Sequence, residues 1–532
     1  MKNQNIINRI KKFVTIILIA ILTISCSTRK DIPNAKEEAR LPIINPDYTG
    51  IVIPPNCSPL NFSIKEKGEN FLVQISSKHG EPIQVEDNSG QINIPFSDWK
   101  ELLAQNAGEN LKIEIYSEQK NGQWTRFNAI ENKIATEKID GYVAYRKFGP
   151  LFNQWKKMGI YQRNIENFDE TPILPNKLTQ DNCMNCHNFW QNGTDRWLLH
   201  TRFEPGTAML LCVDEKIKKI DTRTEFNKSP GGYPTWHPSG NLIAFSVGKP
   251  LQFFHTIGET RDELDRVLDI IVYDVKKNMV TTTPEISSPD RVEVWPLWSH
   301  NGDYLYFCSS NKIDSYTVKS QKNEDSLAYG NIKFDLMRIL YDAKNNTWGK
   351  LETVISSAQT GFSISQPKIS PDGRFIVFTA SSYGSFPIFH SDADLYSYDL
   401  RNGAMKRLEL NSDRAEGFHS WSSNNRWLVY SSKRQDGQFT GIFISHIDSA
   451  GVTSKGFALP QEDPLFYETC LEIFNVPEMV KESVKFSPQT LARIAHLEEQ
   501  ETQKATLDPK VKANKSKSSP AADSWINTNM TR

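Results

Sequence analysis

The sequence predicts a mainly β protein: a small N-terminal β-sandwich, then a five- or six-bladed β-propeller, with a cysteine-bearing segment between them. Three observations predict it. Short runs of alternating apolar and polar residues fill the region before position 136, a strand-turn-strand unit recurs four times after position 230, and one Cys-x-x-Cys-His motif stands between them. The 532 residues leave room for about three folded units. With 62 Lys plus Arg against 63 Asp plus Glu, the net charge of -1 provides no field for nucleic acid or an anionic membrane surface. No apolar stretch of about 18 residues exists to span a bilayer. Nucleic-acid binding and multi-spanning roles are thereby excluded. Seven cysteines are few and odd in number, so some must do something other than pair with each other.

Taken in order, residues 1–25 read as a signal peptide. Lys2, Arg9, Lys11 and Lys12 precede Phe13 to Ile24, which is apolar apart from Thr15 and Thr23 and ends at Ser25-Cys26. A basic start, a short apolar run and a small residue before the cut describe an export signal. With Cys directly after Ser25, the segment resembles a bacterial lipoprotein signal, which implies that Cys26 carries lipid. An outer-membrane anchor facing the periplasm is the location expected. Polar residues 26–45 then read as a tether.

Residues 46–136 are expected to form the sandwich. Leu60 to Ile64, Phe71 to Ile75 and Leu111 to Tyr116 alternate with period two between Gly and Asn turns, the signal of half-buried strands. Cys57, after Pro54-Pro55-Asn56, reads as a packing residue.

The propeller is expected over residues 195–486. Tyr233-Pro234-Thr235-Trp236 opens a unit that recurs at Trp295-Pro296-Leu297-Trp298, Gln366-Pro367-Lys368-Ile369 and Phe418-His419-Ser420-Trp421. Each opening leads into a polar turn, Gly240, Gly302, Gly373 or Asn425, and a second strand ending in Ser or Thr. Asn is tolerated at such a turn because it adopts the left-handed conformation readily. A further strand follows each copy, as in Asp269 to Asp274 and Asp394 to Asp399. Repeated turn-strand units of this kind build propeller blades. A degenerate first blade is read in Arg196 to Lys219, and residues 487–532 as a helix with a disordered tail. Cys212, Cys308 and Cys470 fall on strand-like apolar runs and read as buried thiols.

The chemistry concentrates in residues 137–194. Cys183-Met184-Asn185-Cys186-His187 is the attachment signature of c-type haem: each thiol adds to one porphyrin vinyl group, and the adjacent imidazole is held against iron. A chain of this composition would hold roughly 0.002 such motifs by chance. A structural zinc site lacks a second ligand pair, and a redox dithiol lacks its βαβ context. One covalent haem is therefore expected, through Cys183 and Cys186 with His187 proximal. His200, on the first propeller strand, is the candidate second axial ligand, with Met209, His237, His255 and Met158 as competitors. His237 and His419 occupy near-equivalent places in their repeats and read as turn residues or channel ligands.

The export signal, the sandwich, the single Cys-x-x-Cys-His and the recurrent units together resemble a group of exported Bacteroidetes lipoproteins that combine one c-type haem motif with TolB-like, WD40-like propeller repeats. The resemblance implies haem and a propeller, and no particular substrate. The expected function is that of a lipid-anchored periplasmic c-type haem protein transferring electrons, the propeller docking an unidentified periplasmic or envelope partner. The alternatives are a haem enzyme with an open iron site, peroxidase-like, and a non-catalytic propeller module of an envelope complex.

Overall fold

The structure is a computed structural model describing residues 34–149, 157–202, 207–253, 262–312 and 330–511. The signal segment, Cys26 and His255 lie outside the described residues. Six sheets, four of four strands and two of five, dominate it. Blade one takes Tyr142–Phe148, Gly159–Asn164 and Glu170–Pro175 from early in the chain and its innermost strand, Ile473–Val480, from late in it. Blade two begins at Cys183–Phe189, blade three at Gly232–Trp236, blade four at Arg291–Trp298, blade five at Ser363–Ile369 and blade six at Glu416–Trp421. Each of these innermost strands touches the next, and Ile473–Val480 touches both Glu416–Trp421 and Cys183–Phe189, so the ring is continuous. Pairing a late strand with an early sheet gives every blade two neighbours to pack against, which a radial array needs to cover its apolar faces.

The propeller is therefore six-bladed and starts near position 142, where a start at 195 was expected. The segment 137–194 is not a separate unit: its aromatics Tyr145, Phe148 and Phe168 belong to or flank blade-one strands, and its cysteine motif is the innermost strand of blade two. The reason it escapes a period-based reading is that blade-one strands are buried on both faces, which erases alternation.

The N-terminal unit contains a seven-stranded and a three-stranded sheet sharing one apolar core, with an additional helix at Phe96–Gln105. Part of the expected tether is structured: Ala35–Glu38 pairs with Trp124–Phe127, and Ile44–Asn45 with Phe62–Ile64. The core continues into blades five and six through Phe375, Trp427 and Phe443. Asn61 donates to the carbonyl of Glu462 at 2.9 Å, and Lys455 pairs with Asp47 at 2.6 Å.

After the helix Pro488–Ala495, the chain does not run directly into a tail. Gln503–Lys504 and Thr506–Leu507 add parallel outer strands to blades two and three. Asn425 adopts φ 62°, the left-handed conformation its place in the repeat requires.

Candidate functional site

One backbone irregularity recurs in all six blades. Cys186, Tyr233, Trp295, Gln366, Phe418 and Val476 each have φ between 49° and 60°, and at each the pairing with the second strand skips. These are β-bulges, which re-aim side chains near ring centres and active sites. A left-handed non-glycine residue costs on the order of 1–3 kcal/mol, most for a β-branched one such as Val476. The next residue is Pro234, Pro296, Pro367 and Pro477 in four blades, and His187 and His419 in the other two.

The bulged residues line an axial cavity that encloses about 750 Å3 counted to its open mouth, with walls from all six blades. One wall is aromatic. Tyr233 and Trp295 stack at 3.8 Å between ring centroids, and Phe386 lies 6.4 Å from Trp295 and 5.6 Å from Phe418. The lining also carries charge, from Arg146, Lys368 and Glu478.

Cys186 and His187 both line this cavity. The Cys186 Sγ accepts from Arg202 Nη2 at 3.5 Å and from the Tyr233 amide at 3.4 Å. His187 is buried, its Nε2 is 3.9 Å from Glu478 Oε2, and neither ring nitrogen makes a well-aligned hydrogen bond, the Val476 and Ala144 backbones lying close by. Burial, helped by the charges of Arg146 and Lys368, pushes its pKa down to about 3. It is a neutral imidazole, the form that binds metal. Glu478 accepts from Asn188 Nδ2 at 2.8 Å and the Phe189 amide at 2.9 Å, which ties blade one to blade two. Burial raises its pKa to about 7 against the pull of Lys368 and these donors.

A haem fits this arrangement in part. A buried neutral histidine at the wall of a half-aromatic cavity, with a thiol adjacent, is the donor set a porphyrin iron needs. Cys183 is placed differently. It lies at the start of its strand in the apolar layer with Met158, Met184 and Phe189, and does not line the cavity. Attachment through Cys186 alone uses the geometry as it stands, whereas a second thioether requires Cys183 to leave that layer.

The structure does not bring His200 to the site. His187 pairs with Leu199 across the two innermost strands of blade two, while His200 pairs with Asn185. Neighbouring residues on a strand face opposite ways, so His187 and His200 lie on opposite faces of the sheet. His200 packs edge-on against Phe245 at 5.6 Å, in the layer between blades two and three. Met209 shares that layer, and Met158 Sδ accepts from the Met184 amide at 3.2 Å.

His237 and His419 are not equivalent. His237 takes the turn place held elsewhere by Ser299, Ser370 and Ser422, bonding Ser239 at 2.8 Å and the Gly302 carbonyl at 3.1 Å. His419 takes the proline place and lines the cavity; its Nε2 bonds the Val377 carbonyl at 2.8 Å and its Nδ1 has no partner. None of the six described cysteines is in a disulfide. Cys212 and Cys308 are on strands as expected, but Cys470 follows the short helix Phe466–Thr469.

Lys368, Glu478, Gln366 and Arg146 were not legible as site residues. A signal did exist: Val476-Pro477-Glu478 repeats Gln366-Pro367-Lys368, and both place a charge where other blades carry Asn, Thr, Leu or Ser.

No protein-family model matches the chain, and no curated protein does either. Among solved structures it is similar to a prolyl endopeptidase (12% identity, 75% of this chain and 48% of that one, TM-score 0.33). It is also similar to prolyl oligopeptidase B from Galerina marginata (10%, 76% and 54%, TM-score 0.31). A third is a 6-phosphogluconolactonase-like protein from Bacteroides fragilis (11%, 76% and 98%, TM-score 0.26). The chain spans about half the length of the two peptidases. Likenesses at this level carry no argument about activity.

Proposed function

We propose that this protein is an exported c-type haem protein whose single haem sits in the axial cavity of the propeller, held by Cys186 and by His187 at iron, with Cys183 as the second thioether site. The observation that carries the reading is His187. It follows the only Cys-x-x-Cys in the sequence, and both its nitrogens are buried without a well-aligned hydrogen bond at the cavity wall. An unpaired buried polar group of this kind costs about 1–3 kcal/mol, which a ligated metal would remove at one of the two nitrogens.

Bound there, the haem supplies an iron that exchanges one electron. The chain's own residues do the rest. The aromatic wall of Tyr233, Trp295 and Phe418 excludes water, and the Glu478 bridge to Asn188 and Phe189 fixes the strand carrying His187. On this reading the protein is a lipid-anchored electron carrier on the periplasmic side of the envelope, its propeller docking a redox partner. With His200 on the far face, a second reading is an iron with one open position and peroxidase-like chemistry.

The deciding experiment is a denaturing gel stained for haem, on protein made in a host with c-type maturation machinery. Stain that survives denaturation and is lost when Cys183 and Cys186 are both replaced by Ala supports the reading, and its absence in the unaltered protein ends it. Immediate binding of carbon monoxide to the reduced form selects the open-iron version.

A further inference from the structure

The cavity lining holds a buried amide donor without an acceptor and a lysine without a hydrogen bond. Gln366 is 2% exposed, and its orientation is fixed because Oε1 accepts from the Phe418 amide at 2.7 Å and Thr379 Oγ1 at 3.1 Å. Its Nε2 is thereby turned away from both and has no partner. Two residues along the same strand, the Lys368 ammonium lines the cavity and makes no hydrogen bond or ion pair among the described residues. Arg146 adds a second cation to the lining. The one carboxylate there, Glu478, has one oxygen taken up by Asn188 and Phe189 and the other close to His187. Lys368 is half-buried and feels the Glu478 carboxylate without a direct ion pair to it, a costly setting for a cation. Burial accordingly lowers the pKa of Lys368, against the opposing influence of Glu478 and Cys186. The blades on either side of this strand bring Trp295, stacked on Tyr233, and Phe418 to the same cavity, with Phe386 between these two rings.

We propose that the blade-five strand is a carboxylate-recognition site, Lys368 and Gln366 gripping the acid group of a planar apolar ligand whose ring system lies against Trp295. This goes beyond the haem reading and does not require thioether attachment or iron. The acid is supplied either by a tetrapyrrole side chain or by a small free aromatic acid. A charge-assisted hydrogen bond from Lys368 is worth about 1.5–3 kcal/mol, or about 10- to 100-fold in affinity.

The test uses the full chain made in a host without haem maturation, so that no porphyrin is attached beforehand. Tryptophan quenching is titrated with metal-free protoporphyrin IX, with its dimethyl ester and with indole-3-propionate. At least one free acid should bind. Lys368→Met should weaken that binding about 10-fold or more, Gln366→Leu about 3-fold or more, and Lys368→Arg should restore most of it. The ester should bind weakly and equally to unaltered protein and Lys368→Met. Circular dichroism confirms folding of each variant, and Lys368→Gln serves if the methionine variant does not fold. Binding of the porphyrin alone identifies a tetrapyrrole acid, and of the indole acid alone a small one. The proposal is overturned if neither acid binds, if the ester binds as well as the acid, or if the Lys368 variants bind unchanged. Because metal-free porphyrin needs neither His187 as ligand nor a thiol, a negative haem stain leaves this result standing, and the reverse also holds.

Discussion

His187 and His200 face opposite ways across the two innermost strands of blade two, His187 paired with Leu199 and His200 with Asn185. One iron cannot take both. In holoprotein, His200→Ala should therefore leave the visible spectrum unchanged while removing the edge-on contact to Phe245. The cost should be about 1–3 kcal/mol in a thermal melt. A low-spin to high-spin change in this variant would contradict the arrangement.

The two motif cysteines should not be equal. Cys186 lines the cavity and Cys183 is packed with Met158 and Phe189. Cys183→Ala should retain covalent haem through one thioether, with an unreacted vinyl group moving the reduced pyridine spectrum to longer wavelength. Cys186→Ala should lose most of the covalent haem, because Cys183 must leave its layer to react. Equal covalent haem in the two variants would show that Cys183 swings to the cavity during maturation.

Glu478 tests the closure between blades one and two. Glu478→Ala strands the Phe189 amide and Asn188 amide in the interior, a loss of about 1–3 kcal/mol per unsatisfied group. Glu478→Gln keeps an acceptor and removes a costly buried charge, so its melting temperature should lie well above that of the alanine variant. Matching melts for the two would mean that the oxygen is not what holds the strand.

The C-terminal strap is a separate element. Ending the chain after Thr502 removes the outer strands on blades two and three. It also removes the 2.9 Å bond from the Ala505 amide to Asp221 and the 2.6 Å bond from Asn346 to Asp508. A loss of about 2–4 kcal/mol is expected from these net contributions. Aggregation should also increase, because two sheet edges become exposed. Light scattering during a melt checks both.

Acid should loosen the N-terminal unit from the propeller before it unfolds either. Burial pushes the pKa of Asp47 up, but the Lys455 ammonium and Thr49 outweigh it and hold it below its ordinary value. Glu468 behaves alike, burial being outweighed by Lys65 and Ser63. Both pKa values are depressed in the folded state, so their stabilisation is present above the unfolded values, about 4, and is lost as pH falls below them. The pairs are partly exposed, so the effect is modest and screened by salt. Proteolysis between the units at pH 3 against pH 7, with and without salt, measures it.

The repeat was legible because each copy is local. A bulged residue, a proline, a polar turn and an apolar strand follow one another within about fifteen positions, and period and turn chemistry expose them. The alternating strands of the N-terminal unit were legible for the same reason, as was Asn425 in a left-handed turn. Blade one was not, since its innermost strand is Ile473–Val480 while the rest begins at Tyr142, and no local signal joins strands more than 300 positions apart.

The sequence by itself determined the β class, the blade repeat and the unusual presence of two thiols and an imidazole in one short run. Tertiary structure alone decided where those groups point. A single bulge at Cys186 shifts the register, putting His187 on the face toward blade one and leaving His200 on the other. Ring closure then gathers Lys368, Gln366 and Glu478 from blades five and one to the same cavity. Side-chain direction on a strand reverses with every residue, so one inserted position changes which groups meet, and only the folded ladder records it.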